Sequence, residues 1–144
     1  MGSVEMGDGK RIVARLAHGG DLIDEILAVA GEHHIEIGQC WAIGAVKRAR
    51  LAYYDQDGKG YWEFALDRHL EIVSLIGNVS LRDGRPAVHA HAAFADDEGH
   101  MFGGHVAAGC EIFACELLLV EFSGEILERE HDEVTGLPLW KKLG

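Results

Sequence analysis

VHAHAAFADDEGHMFGGHV, residues Val88–Val106, is the segment around which the whole chain organises itself. It carries His89, His91, His100 and His105, four of the nine histidines in the sequence. In a β-strand, residues i and i+2 point to the same face, so His89 and His91 are neighbours on one side. Asp96-Asp97-Glu98-Gly99 is polar and ends in glycine, which predicts a turn. If the chain folds back there, His91 lies opposite His105 or one residue from it. Directly opposed residues share a face with Cβ atoms ~5 Å apart. Three imidazoles then converge within one hairpin. Gly103 and Gly104 leave room for close approach just before His105. His100 is opposite in parity to His91 and is expected in solvent.

Neutral imidazole suits zinc and its neighbours, and a three-histidine set leaves a fourth position open. The plain alternative is that His-x-His marks two solvated or hydrogen-bonded rings on an ordinary strand.

A length of 144 residues suits one domain with a single core. Residues 1–10 are polar and Gly-rich and are expected to form a flexible N-terminus, with residues 11–144 as the domain. A net charge of −11 repels phosphate backbones, because nucleic-acid affinity rests on Lys and Arg displacing counterions. Lys47-Arg48-Ala49-Arg50 is the one short basic cluster. The three cysteines, Cys40, Cys110 and Cys115, form no Cys-x-x-Cys, and their odd number is expected of free thiols in a reducing cytosol. With no signal-type apolar core near the start and no apolar run of ~20 residues, a soluble cytoplasmic protein without a membrane span is expected.

Along the chain, Arg11–Leu16 alternates as a strand. Asp21 is placed to cap a helix whose apolar face is Leu22, Ile23, Ile26, Leu27 and Ala30. Gly31 either ends that helix or sits in its last turn. Strands follow over Cys40–Tyr54, Tyr61–Leu66, Leu70–Leu81 and Glu111–Glu121, with a short one at Ile126–Leu127. Glu71 and Asn78 bound a strongly apolar run, and Glu116 interrupts another, so each needs a partner or water if buried. Thr135–Trp140 is an apolar tail expected to dock. The result is an α+β domain of six or seven strands, mainly antiparallel and flanked by one helix. One short helix cannot cover such a sheet, and self-association is the economical way to bury the rest.

The helix Asp21–Ala30, Ile43-Gly44-Ala45, Leu70–Asn78, Asp83-Gly84-Arg85-Pro86, Val88–His91 and Gly103-Gly104-His105 together resemble the plants-and-prokaryotes-conserved (PPC) domain in its stand-alone prokaryotic form. The resemblance runs almost end to end. It implies a mainly antiparallel sheet flanked by helix, assembled as a homotrimer. It also implies a metal, most often zinc, on His89, His91 and His105. Prokaryotic members are commonly labelled DNA-binding, a role that fits poorly with this acidic chain. The Arg-Gly-Arg-Pro hook of plant members is missing, since Asp83-Gly84-Arg85-Pro86 echoes it only in an acidic turn.

Three functional readings follow. The first is a homotrimeric module with a three-histidine centre holding zinc or another divalent transition metal, DNA-associated or regulatory in role. Glu71, Asn78 and Glu116 are the candidate supporting residues. The second is a metal-dependent hydrolase of unknown substrate, with Glu71 or Glu116 as general base. The third is a structural trimer that binds a small ligand between subunits.

Overall fold

Period-two alternation becomes nine strands, and period-3.6 spacing becomes one helix, in a computed structural model that describes residues 2–143. The strands are β1 (Gly7–Arg15), β2 (Gly38–Asp55), β3 (Gly60–Leu66), β4 (Leu70–Arg82), β5 (Arg85–Ala95), β6 (Met101–Val106), β7 (Glu111–Ser123), β8 (Glu128–His131) and β9 (Pro138–Trp140). The helix α1 spans Leu22–Glu32. β1 starts at Gly7 rather than Arg11, because Gly7 and Asp8 pair with Ser123 and Phe122 of β7. The short strand expected at Ile126–Leu127 forms instead at Glu128–His131, where the chain pairs with Leu81 and Arg82 of β4, and β9 is too short for alternation to reveal.

β2 is the hub of the sheet. Its first half lies between β7 and β4, and its second half pairs with β3 and β6. β4 pairs with β5 and β5 with β6, so β2, β4, β5 and β6 form a closed cycle of pairings. All these ladders are antiparallel, and β4–β8 is the parallel exception, making the sheet mixed. Register shifts mark three bulges along β2: β4 carries the extra residue beside Ala42–Gly44, β7 beside Ala45–Val46, and β2 itself between Val46 and Arg48, where it passes from one set of neighbours to the other.

The Asp21 carboxylate caps α1 by accepting the N–H groups of Ile23 (3.0 Å) and Asp24 (3.3 Å). Its other oxygen accepts the Gly109 N–H at 2.6 Å, pinning the helix start to the β6–β7 connection. Gly31 stays inside the last turn. The chain leaves through His34, at φ 54°, in a left-handed conformation. Leu22, Ile26 and Ala30 bury the helix face against the inner side of the sheet, among Leu51, Leu75, Phe94, Ile112 and Leu119. No described helix is long and apolar enough to cross a membrane.

The outer face is different. Val13, Leu118, Trp41 and Ile76 are exposed, and they pair directly across β1, β7, β2 and β4. The same row continues from Ile76 to His91 and from His91 to His105. One helix covers one side of the sheet and leaves this apolar row open.

Candidate metal centre

The β5–β6 hairpin forms as its sequence predicts. Asp96 ends β5, and its carboxylate accepts the N–H groups of Glu98 (3.1 Å) and His100 (2.9 Å), closing the turn. His91 then lies directly opposite His105, and Ala92 opposite Gly104. On the buried side of β5, Ala90, Ala92 and Phe94 face the core. His89 and His91 therefore face outward beside His105.

The three rings meet. Centroids are 5.2 Å apart for His89–His91, 5.1 Å for His89–His105 and 5.4 Å for His91–His105. One ring nitrogen from each lies within 4.8 Å of the others, near enough for small ring rotations to bring all three onto an ion at ~2.0–2.1 Å per bond. Nδ1 of His105 is buried with no hydrogen-bond partner among the described residues, a polar atom left unsatisfied. The donor set and this orphaned nitrogen fit a divalent transition metal.

The electrostatics disfavour a proton on two of the three rings. Burial, then the positive charge of Arg129, then His105 and His91 push the His89 ring down to about 4. Burial, His91 and Arg129 likewise lower His105, against a smaller opposing pull from Glu63. His89 therefore binds its proton more readily in the unfolded chain than in the folded one. Metal-free protein is expected to hold this contribution in full above pH 6.5 and to lose it as pH falls toward 4. Thermal melts of chelator-treated protein across that window check this. A slope undiminished in His89→Asn would place the titration elsewhere.

The other expected residues scatter. Asn78 pairs with His89 in register, and its Oδ1 accepts from Nη2 of Arg129 at 2.7 Å. Glu71 is exposed at the far end of β4, opposite Ala95. Glu116 is exposed on β7, opposite Ile43 and Arg15. Neither Glu71 nor Glu116 lines the histidine cavity. His100 is exposed beside Asp96 and Glu98. That second cluster is already committed, because the Asp96 carboxylate also accepts from Arg68 at 3.2 Å.

Alternation did not reveal the walls of the cavity. It encloses about 500 Å³. Tyr61 of β3 packs on His105, centroids 5.1 Å apart. The C-terminal hairpin β8–β9 supplies Arg129, Pro138 and Leu139. It is held down by Leu81 N–H to the Leu127 carbonyl, by Tyr54 Oη to the Thr135 carbonyl at 2.6 Å, and by Arg129 Nε to Ser80 Oγ at 3.0 Å, while the Arg129 guanidinium over the Trp140 ring ties its two strands together. The expectation that Thr135–Trp140 docks is met here. Its one visible signal was a tryptophan in an otherwise short tail.

A sequence profile of the Plants and Prokaryotes Conserved (PCC) domain matches residues 3–123. Among solved structures, a metal-containing protein from Archaeoglobus fulgidus is 42% identical, with a TM-score of 0.94 over 99% of this chain and 100% of that one. A plant- and prokaryote-conserved (PPC) protein from Pyrococcus horikoshii is 35% identical, with a TM-score of 0.93 over 100% and 99% of the two chains. A bifunctional protein GlmU from Synechococcus is 33% identical over 124 residues, 85% of this chain but 19% of that protein. The chain thus spans about a fifth of the length of the curated relatives it matches.

Proposed function

This chain belongs to the Plants and Prokaryotes Conserved domain family, and from that premise we propose that it is a homotrimeric metal-binding module. Its centre is His89, His91 and His105, and its ion is zinc or another divalent transition metal. The observation that carries the reading is the convergence of three imidazoles on one outward face, one with a buried unpartnered nitrogen. The Archaeoglobus fulgidus relative is a metal-containing protein, which supports the same for a chain 42% identical to it. When bound, such an ion offers a Lewis-acidic open position. His89 and His105 stay neutral to receive it, and Asn78 steadies the arginine beside them.

The exposed row Val13, Leu118, Trp41 and Ile76 supports self-association, since monomers rarely leave contiguous apolar surface in water. Cys40, Cys110 and Cys115 are free and buried, with thiols pushed up to about 11 chiefly by burial, which suits a reducing cytoplasm. The hydrolase alternative is weaker, because no Asp or Glu is among the described residues lining the cavity. A DNA-associated role ranks below a small-ligand role at a net charge of −11.

The test is elemental analysis with solution mass on untagged protein incubated with excess zinc. One zinc per chain and three times the 15.7 kDa chain mass are expected. Zinc-free protein overturns the metal reading, and a 15.7 kDa particle overturns the trimer.

A further inference from the structure

The cavity around the histidines is positive in a strongly negative protein. Its lining includes Arg82, Arg129 and the three histidines, and no described carboxylate, although the chain carries 24 Asp and Glu. Arg129 is half-buried. Its Nε donates to Ser80 Oγ at 3.0 Å, Nη1 to the Pro138 carbonyl at 2.9 Å and Nη2 to Asn78 Oδ1 at 2.7 Å. All three acceptors are neutral, so the guanidinium is held in place but not neutralised, and two of its five N–H groups remain unassigned. Arg82 sits directly beside it in the β4–β8 register, and its side chain makes no ion pair among the described residues. Arg129 is half-buried with a like charge beside it, and Arg82 joins it from the exposed rim of the cavity, so an anion between them would offset the repulsion and the lost hydration of Arg129. Burial and the neighbouring Arg82 lower the Arg129 guanidinium, the mark of that crowding. Glu63, the carboxylate whose field reaches His105, is tied to Arg50 at 2.7 Å.

The rest of the lining sets the size and nature of the ligand. About 500 Å³ is the volume of a small-molecule site, too small for a nucleic-acid duplex. Tyr53, Tyr54, Tyr61, Val88, Pro138 and Leu139 give it apolar and aromatic walls. We propose that this cavity binds a small organic anion. A carboxylate or phosphate head sits on Arg129 and Arg82 beside the histidine centre, and an aromatic or aliphatic body lies against the tyrosines and the β8–β9 hairpin. The assignment rests on the metal reading for where the anion lies, and on the arginines for its charge. Arg129 and Arg82 act as positioning and specificity residues. Arg129 is pre-organised by its three hydrogen bonds, and its guanidinium fork suits the planar, bidentate geometry of such a head.

The experiment is calorimetric titration of zinc-incubated protein with benzoate, phenyl phosphate and the neutral isostere benzamide. Zinc is measured on the same samples. Both anions are expected to bind at least about tenfold more tightly than benzamide. Arg129→Gln and Arg82→Gln are each expected to cut that preference about tenfold with zinc content unchanged. Arg82 is exposed and free of side-chain hydrogen bonds among the described residues, so its variant keeps the test intact if Arg129→Gln misfolds. Anions that bind no better than benzamide to zinc-replete protein overturn the inference, as do Arg82→Gln and Arg129→Gln proteins that bind like the parent. Protein that takes up no zinc yet keeps the anion preference overturns the metal reading alone.

Discussion

His105→Ala is expected to weaken zinc binding by on the order of 100-fold or more, in competition against a chromophoric chelator. The ring it removes is the only one of the three supplied by β6, so His89 and His91 are left as a two-ligand site on β5. The fold should survive. Its β6 neighbour Gly104 already lacks a side chain, and the deleted ring takes with it a buried nitrogen that has no partner. The melting temperature of the metal-free variant should stay within a few degrees of the parent. His100→Ala is the matched control, because His100 sits at the turn beside an aspartate committed to other donors, and its zinc affinity should not change. Parental zinc affinity in His105→Ala would remove this trio of rings from metal binding.

The largest expected loss of stability lies elsewhere, at Gly44. Its φ of 148° is one that L-residues rarely adopt, and an added Cβ would collide with the Ala114 carbonyl oxygen and come within 2.8 Å of Cys115 Cα. Both obstacles are backbone, so neither can rotate aside. Gly44 is paired on both sides at once, with Ile72 of β4 and Cys115 of β7, next to the residue where β4 bulges. Gly44→Ala should cost about 3 kcal/mol or more in urea unfolding, combining backbone strain with a steric clash. A loss under about 1 kcal/mol would show that the backbone around Gly44 relaxes freely. Folded variant should still bind zinc, since Gly44 lies off the histidine hairpin.

The hairpin was legible because everything it needs is local. A period of two, a turn ending in glycine and a fixed loop length bring His91 to His105 without reference to the rest of the chain. Parity left two registers open, and the turn geometry around Asp96 selects the direct pairing. The same rule is silent on Glu71 and Glu116. Alternation tells which face a residue takes, not how many strands separate it from the site. Glu116 is on the outer face, yet three strands from β5. Arg129 was invisible for a different reason. It reaches Asn78 through a two-residue parallel pairing made some fifty residues along the chain, which leaves no periodic trace. Helix α1 announced itself through its cap and its Leu22, Ile26 and Ala30 stripe, and it formed where expected.

The alternation of β5 would make a bound ion an inspector of strand alignment. Slipping β5 by one residue would turn His89 and His91 inward and push Ala90, Ala92 and Phe94 into water. Small alanines and wide imidazoles cannot trade places in this core. A chain that captured an ion with all three rings would already have aligned β4, β5 and β6, so loading would reward only the correctly threaded product of folding.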